Sequence, residues 1–108
     1  MIHTVENLDE FKSFLKNAGD NLVVVDFWAT WCGPCKQIGP LFEEESKKPE
    51  NKNVMFLKVD VDEAPDVSEY CQISCMPTFQ FYKNENKVFE FSGANDKTLT
   101  EKLAALRT

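Results

Sequence analysis

Apolar residues recur at helical spacing near the start of the chain and then give way to a continuous apolar run. The first set falls on one helix face and comprises Leu8, Phe11, Phe14, Leu15 and Ala18. Asn7 stands where it can cap this helix, and Gly19 where it can end it. The run NLVVVDFWA, residues 21–29, is apolar except at Asp26, which is typical of a strand buried on both faces.

A second helix and a second strand follow. Pro34 suits the first turn of a helix, where a backbone N–H has no partner to lose. The inner face of that helix is expected to carry Ile38, Leu41 and Phe42, and its outer surface Glu43, Glu44 and Glu45. Pro40 lies inside this pattern and is expected to kink the helix, because it removes a backbone donor. The run NVMFLKVDV, residues 53–61, predicts another buried strand.

The last part of the pattern predicts a short helix, a hairpin and a final helix. The inner side of the short helix, residues 64–72, is expected to carry Val67, Tyr70 and Cys71. TFQFYK and KVFEFS alternate apolar and polar residues around NEN, as in an antiparallel hairpin. The inner stripe of the final helix is expected to comprise Leu99, Leu103 and Leu106. Thr98 and Glu101 form a candidate capping box at its start.

The order of these elements predicts one α/β domain over residues 1–108. Its central sheet is expected to be mixed, parallel early and antiparallel late, with helices on both faces. The net charge of −6 disfavours nucleic-acid partners. The chain starts without the basic residues and apolar core of a signal peptide, and no apolar run is long enough to span a bilayer. We therefore expect a cytoplasmic protein that binds neither nucleic acid nor membrane.

Two of the four cysteines, Cys32 and Cys35, lie on either side of Gly33-Pro34 directly after the first apolar strand. A thiol reacts as its thiolate, and the unpaired N–H groups at a helix N-terminus stabilise an anion. We therefore expect Cys32, just before the helix, to be the exposed nucleophile that attacks a disulfide in a partner protein. Cys35 is expected to lie inward, to attack Cys32 in the mixed disulfide, and to release the reduced partner as the Cys32–Cys35 disulfide closes.

Asp26 interrupts the strand that leads to the cysteines. Burial raises the pKa of a carboxyl group, which lets it accept a proton near neutral pH. Burial also disfavours the thiolate of Cys35, so this thiol needs a base. We expect Asp26 to take that proton, directly or through one water. The alternative is that Asp26 marks an exposed end of the strand.

The segment VVVDFWATWCGPCK, residues 23–36, resembles the active-site segment of thioredoxins. CMPTFQFYKN and FSGAN, residues 75–84 and 91–95, resemble the second half of this family as found in animal cytosolic members. The likeness runs from about Leu22 to the C-terminus, and the first helix is compatible with it. It implies the thioredoxin fold, with a central five-stranded mixed sheet flanked by four helices, and protein-disulfide reductase activity.

The resemblance also implies roles for single residues. Cys32 matches the family's nucleophile, Cys35 its resolving thiol, and Asp26 its buried acid. The supporting residues that it implies are Trp31, Gly33, Pro34 and Pro77. A cis Met76–Pro77 bond is implied, which would expose the Met76 backbone to an extended substrate segment. The implied substrate groove comprises Thr30, Trp31, Cys75, Met76 and Gly93.

One position departs from the family pattern. Bacterial members carry a lysine beside the buried aspartate, and our alignment places this position at Phe56, with Lys58 at the wrong offset. We therefore expect Asp26 to lack a cationic neighbour, which would leave its pKa higher.

The resemblance implies disulfide-containing proteins as substrates, and thioredoxin reductase with NADPH as the system that resets the Cys32–Cys35 disulfide. No cofactor site is apparent in the chain, so we expect no bound cofactor beyond the cysteine pair itself. Oxidants of this superfamily commonly hold a histidine between the two cysteines, which stabilises the thiolate. Gly33 and Pro34 add no charge there, which favours a reductant.

The other two cysteines leave alternatives open. Cys71 is expected to be a small buried residue. Cys75 is expected on the groove rim, either as a passive thiol or as the regulatory residue through which a monomer forms a disulfide-linked dimer. All four cysteines could instead bind structural zinc, but the Gly33-Pro34 spacer is unlike a zinc knuckle, so we expect no metal. A redox-dependent binding module without significant turnover is the remaining alternative to a reductase.

Overall fold

Five strands and four α-helices follow one another in the computed structural model, which describes all residues, 1–108. The strands are β1 (Ile2–Thr4), β2 (Val23–Trp28), β3 (Met55–Asp60), β4 (Thr78–Lys83) and β5 (Asn86–Ser92). The helices are α1 (Leu8–Ala18), α2 (Gly33–Ser46), α3 (Pro65–Tyr70) and α4 (Asp96–Leu106), and a short 3-10 helix spans Pro49–Asn51. None of these helices has the length and apolar character needed to cross a bilayer.

The strands form one mixed sheet in the order β1-β3-β2-β4-β5. β1, β3 and β2 are parallel, whereas β4 runs antiparallel to β2 and β5 antiparallel to β4. The hairpin turns at Asn84 and Glu85, whose φ angles of 51° and 67° are the positive values that a tight two-residue turn requires. The predicted sheet, parallel early and antiparallel late, is confirmed.

Side chains of the central strands alternate between two apolar layers. In β2, Val25 and Phe27 pack in the layer formed with α1 and α3, whereas Val24 packs in the layer formed with α2 and α4. By this alternation Asp26 faces α2 and α4. In β3, Phe56 packs in the same layer as Val24, so Lys58, two residues on, shares the face of Asp26.

The first helix has the ends that the sequence predicted. The Asn7 side chain accepts a hydrogen bond from the Glu10 N–H at 2.9 Å, and Gly19 follows the helix with a φ of 60°. The final helix differs from the prediction, because Asn95 caps it rather than Thr98 and Glu101. The side-chain oxygen of Asn95 accepts the Thr98 N–H at 3.0 Å.

Two side chains predicted from helical spacing lie elsewhere. Tyr70 is 57% exposed rather than inward, and the Lys12 ammonium lies 4.8 Å from its ring centroid on the surface. Glu45 is buried rather than on the outer surface of α2. Its burial is tolerated because Asn51 donates to the Glu45 carboxylate at 3.2 Å and Lys48 pairs with it at 2.5 Å.

Replacing Asn95 with alanine is expected to lower the free energy of unfolding by about 1 kcal/mol, because the Thr98 N–H loses its acceptor. Glu101→Ala is the control and is expected to change stability by less than about 0.5 kcal/mol, since exposed ion pairs contribute little. Urea denaturation followed by circular dichroism measures both. A larger loss for Glu101→Ala than for Asn95→Ala would show instead that Thr98 and Glu101 cap the helix.

Candidate active site

A disulfide joins Cys32 and Cys35 at the start of α2, with their Cα atoms 5.3 Å apart. Cys32 is the N-cap of this helix, and its Sγ accepts a hydrogen bond from the Cys35 N–H at 3.1 Å. Pro34 occupies the first turn of the helix, as the sequence predicted. The sulfur of Cys32 therefore lies where the unpaired N–H groups and the helix dipole favour negative charge.

The sequence predicted an exposed Cys32 and an inward Cys35, but both residues are only 5% exposed in this oxidised state. The disulfide draws the two sulfurs together in a small apolar cluster with Ala29. Trp28 and Met76 pack against this cluster from outside. The prediction of an exposed Cys32 is wrong for the oxidised protein, because Cys32 packs in one buried cluster with Ala29 and Cys35.

Asp26 lies inside the α2 and α4 layer with 1% of its surface exposed, and its Oδ1 has no hydrogen-bond partner in the chain. Burial raises the pKa of Asp26 to about 7, because the apolar surroundings solvate a carboxylate poorly, and the positive charge of Lys58 opposes this rise. The alternative that Asp26 marks an exposed strand end is therefore wrong.

Lys58 corrects the expectation that Asp26 lacks a cationic neighbour. In the parallel β2–β3 pairing, Asp26 lies opposite Lys58, and Phe56 lies opposite Val24. The Lys58 ammonium sits 4.4 Å from the centroid of the Trp28 ring, next to the aspartate on the same face of the sheet. Phe56 lies two residues before Lys58 on β3. Residues two apart in a strand share a face, so the expected position was on the correct face but at the wrong place along the strand.

A pocket of about 320 Å³ extends from Asp26 to Cys35. Its walls include Asp26, Cys35 and Lys58, but not Cys32. Exposed Lys36 and Glu43 also line it, so the pocket reaches solvent. Of the two cysteines, Cys35 is thus the one that lines the same solvent-connected pocket as the buried carboxyl.

Trp31 lies beside the disulfide and is 66% exposed. Its indole N–H donates to the Asp62 carboxylate at 2.9 Å, which ties the active-site loop to the loop after β3. Thr30, Gly33 and Pro34 are also exposed on this surface. Sequence reasoning missed Asp62, because it lies in an acidic stretch whose charges are typical of solvated surface and only the fold brings it to Trp31.

The Met76–Pro77 peptide bond is cis, as the resemblance implied. Neither the N–H nor the C=O of Met76 bonds another group of the chain. The next carbonyl, that of Pro77, accepts the Gly93 N–H at 2.9 Å, and Gly93 has a φ of 97° that favours glycine. Met76 and Gly93 therefore lie close together, as a shared groove requires.

Cys71 and Cys75 are free thiols with different surroundings. Cys71 is buried, and this burial raises its pKa to about 11. Cys75 is exposed. No three His, Cys, Asp or Glu side chains come close enough together to ligate one metal ion.

A cysteine pair joined across the first turn of a helix, with a buried carboxyl beneath it, defines a thiol–disulfide oxidoreductase. Comparison with known proteins narrows this class. The chain matches the family described as Thioredoxin over residues 2–105. The chain belongs to the thioredoxin family.

Individual relatives are similar over nearly their whole length. The thioredoxin of Ictalurus punctatus is 63% identical over 103 residues, which cover 95% of this chain and 96% of that one. The thioredoxin of Homo sapiens is 54% identical over 99 residues, 92% of each chain. The solved structure of Malassezia sympodialis thioredoxin is 42% identical, covers 99% of this chain and 94% of that one, and superposes with a TM-score of 0.93.

Family membership and the Cys32–Cys35 pair establish the activity as protein-disulfide reduction by dithiol–disulfide exchange. The cysteine pair carries the electrons, so thioredoxins need no bound cofactor. Disulfide-containing proteins are the substrates of the family, and thioredoxin reductase is its general partner.

The buried carboxyl predicts a pH-dependent stability. The pKa of Asp26 is about 7 in the folded protein against 3.8 as the ordinary value. The folded state therefore holds a proton between about pH 4 and 7 that the unfolded state releases, so stability falls as pH rises through this window. Above pH 7 the buried carboxylate lowers the free energy of unfolding by about 4 kcal/mol.

Asp26→Asn removes this cost and is expected to stabilise the oxidised protein by up to about 4 kcal/mol at pH 8, with the gain vanishing near pH 4. Urea denaturation at pH 4, 6 and 8 measures the difference. Asp20→Asn, at an exposed carboxyl, is the control. A gain for Asp26→Asn that is the same at all three pH values would contradict the raised pKa.

Proposed function

We propose that Cys32 is the nucleophile and Cys35 the resolving thiol of this reductase. The observation that carries the assignment is the Cys32 sulfur at the N-cap of α2, where it accepts the Cys35 N–H. The Cys32 thiolate attacks one sulfur of a substrate disulfide and forms a mixed disulfide. The substrate S–S bond breaks, and the other sulfur leaves as a thiolate that takes a proton from water.

The second step uses Cys35 and Asp26. Cys35 gives its proton to the Asp26 carboxylate, directly or through one water, and attacks the sulfur of Cys32. The mixed disulfide breaks, the second substrate thiolate leaves and is protonated, and the Cys32–Cys35 disulfide forms. Two electrons have then passed to the substrate. The shared pocket and a pKa of about 7 for Asp26 support this role, since such a group exchanges protons at neutral pH.

The substrate chain is proposed to lie in a groove formed by Thr30, Trp31, Cys75, Met76 and Gly93, supported by Gly33, Pro34 and Pro77. Met76 supports this placement, because its N–H and C=O have no partner in the chain and can pair with an extended segment. Trp31 adds an exposed aromatic surface beside the disulfide. Its hydrogen bond to Asp62 holds the ring in place.

Electrons are proposed to come from NADPH through thioredoxin reductase, which reduces the Cys32–Cys35 disulfide. Gly33 and Pro34 add no charge that would favour the thiolate, which supports a reductant rather than an oxidant. The whole chain, residues 1–108, is proposed to act as one domain. The free thiols of Cys71 and Cys75 support a reducing compartment, the cytoplasm.

Substitution of the two active-site cysteines separates their roles. Cys32→Ser is expected to abolish insulin reduction in the presence of NADPH and thioredoxin reductase. Cys35→Ser is expected to lose turnover but to accumulate mixed disulfides through Cys32, because nothing resolves them. Turbidity of reduced insulin and mass spectrometry of trapped adducts measure these outcomes. Cys71→Ser is the control and keeps turnover. Trapping by Cys32→Ser but not by Cys35→Ser would reverse the assignment.

The protein is proposed to be a monomer that oxidants convert to a dimer linked through Cys75. The exposed Cys75 supports this, because a disulfide between chains needs accessible sulfurs. Cys71 does not compete, since burial raises its pKa to about 11 and hides it from a partner.

Hydrogen peroxide is expected to produce a dimer band on non-reducing gels in the parent chain and in Cys71→Ala, as two Cys75 thiols lose two electrons to the peroxide. Cys75→Ser is expected to remain monomeric. Dithiothreitol is expected to reduce the disulfide and convert the dimer band to monomer. The same dimer in Cys75→Ser would exclude this residue as the link.

A further inference from the structure

One face of β4 carries buried polar residues where the sheet pattern would place apolar ones. Phe79 and Phe81 pack in the α2 and α4 layer. On the opposite face, Thr78 and Gln80 are 3% and 1% exposed. Burying two polar side chains is costly unless they form hydrogen bonds. The hydrogen-bond partners of Thr78 and Gln80 therefore indicate the role of this face.

Both side chains donate to carbonyls of the segment that precedes β4, residues 71–77, which includes Met76. The Thr78 hydroxyl donates to the Cys75 carbonyl at 2.6 Å. The Gln80 amide donates to the Cys71 carbonyl at 3.3 Å. The two residues therefore tie the segment to the sheet near its start and near its end.

Neighbouring strands complete the hydrogen bonding of both side chains. Thr78 pairs with Ser92 at 2.8 Å, and Gln80 donates to Glu90 at 2.8 Å. These are the residues that lie directly opposite on β5. Tyr82 donates to the Gln80 side-chain oxygen at 2.7 Å. We call Thr78 and Gln80, with these partners, the polar ladder of β4.

The first three residues of the segment bond the backbone of the α3 region, but its second half has little backbone support. Residues 74–76 take part in no backbone–backbone hydrogen bond. The Thr78 hydroxyl holds the Cys75 carbonyl, and the Gly93 N–H holds the Pro77 carbonyl. The carbonyls of Cys75 and Pro77, on either side of Met76, are thus anchored, while the N–H and C=O of Met76 stay free.

We propose that Thr78 and Gln80 are positioning residues for substrate binding, which hold the 71–77 segment so that the Met76 backbone is ready to pair with a substrate strand. The proposal rests on the proposed substrate groove. Ordering a loop on binding costs free energy, and a loop that is already ordered avoids this cost. The ladder therefore acts on affinity for extended protein substrates rather than on the chemistry of the sulfurs.

Thr78→Val keeps the shape of the side chain and removes its hydroxyl. The pre-reduced variant is expected to need an insulin concentration about 3- to 10-fold higher for half-maximal reduction, the range of one hydrogen bond. The maximal rate is expected to change by less than about 2-fold. The loss is expected to be at least about 3-fold smaller with bis(2-hydroxyethyl) disulfide, which has no backbone to pair. Thr78→Ser retains a hydroxyl and is expected to recover the parent values.

Two controls separate positioning from stability. Asn7→Ala removes a helix cap far from the groove and is expected to lower stability without moving the half-maximal concentration. Thr100→Val removes a hydroxyl that bonds only carbonyls of α4 and is expected to behave like the parent. Gln80→Met tests the second residue of the polar ladder and is expected to raise the half-maximal insulin concentration as Thr78→Val does. If Gln80→Met does not fold, Tyr82→Phe, which removes one hydrogen bond to Gln80, takes its place with a smaller shift of the same sign.

A second measurement distinguishes failure of the ladder from failure of the groove. Amide exchange of Met76 is followed by NMR in Cys35→Ser, alone and joined to a cysteine peptide through Cys32. The proposed groove predicts slower exchange in the adduct, and the ladder predicts that Thr78→Val reduces this protection. If Met76 exchange is no slower in the Cys35→Ser adduct than in free Cys35→Ser, with Thr78 intact in both, the groove is overturned. Equal protection with and without Thr78→Val, together with unchanged half-maximal concentrations, would overturn the ladder and leave the groove standing.

Discussion

Burial of one carboxyl group is the constraint on which the active site depends. Asp26 lies in the middle of a central strand, and the apolar layer around it raises its pKa to about 7. Lys58 limits this rise from the opposite position on β3, without forming a direct ion pair with the aspartate. Asp26 and Cys35 line one pocket, and Cys32 does not. The two cysteines therefore differ in surroundings although only two residues separate them.

The sheet order explains why the other parts of the site meet. β2 and β4 are antiparallel neighbours, and Phe27 near the end of β2 lies opposite Thr78 at the start of β4. The loop after β2 carries Cys32, and the segment before β4 carries Met76. Both lie side by side at the same end of these two strands. The dithiol and Met76 come from distant parts of the sequence, but one strand pairing fixes their relation.

Much of the fold was predictable because the signals are local. Apolar periodicity and end residues such as Asn7 and Gly19 identify the elements, and the Cys32–Cys35 spacing identifies the chemistry. Apart from the cap of the final helix, most of the errors concern contacts made between elements. Lys58 was misjudged because its relation to Asp26 depends on the β2–β3 register. Glu45 was misplaced because Lys48 and Asn51, which make its burial tolerable, lie beyond its helix. The burial of Cys32 could not be predicted from spacing, because it depends on packing with Ala29 and on the partly buried Trp28 and Met76 around this cluster.

The pKa of Asp26 links proton binding to electron transfer. Near pH 7 the carboxyl is partly protonated, so any difference in its pKa between the disulfide and dithiol forms changes the number of protons taken up with the two electrons. The reduction potential of the protein then varies with pH by an amount that the cysteines alone do not set. Through such a difference, a residue that forms no bond to the substrate would help to set how strongly the protein reduces at a given pH.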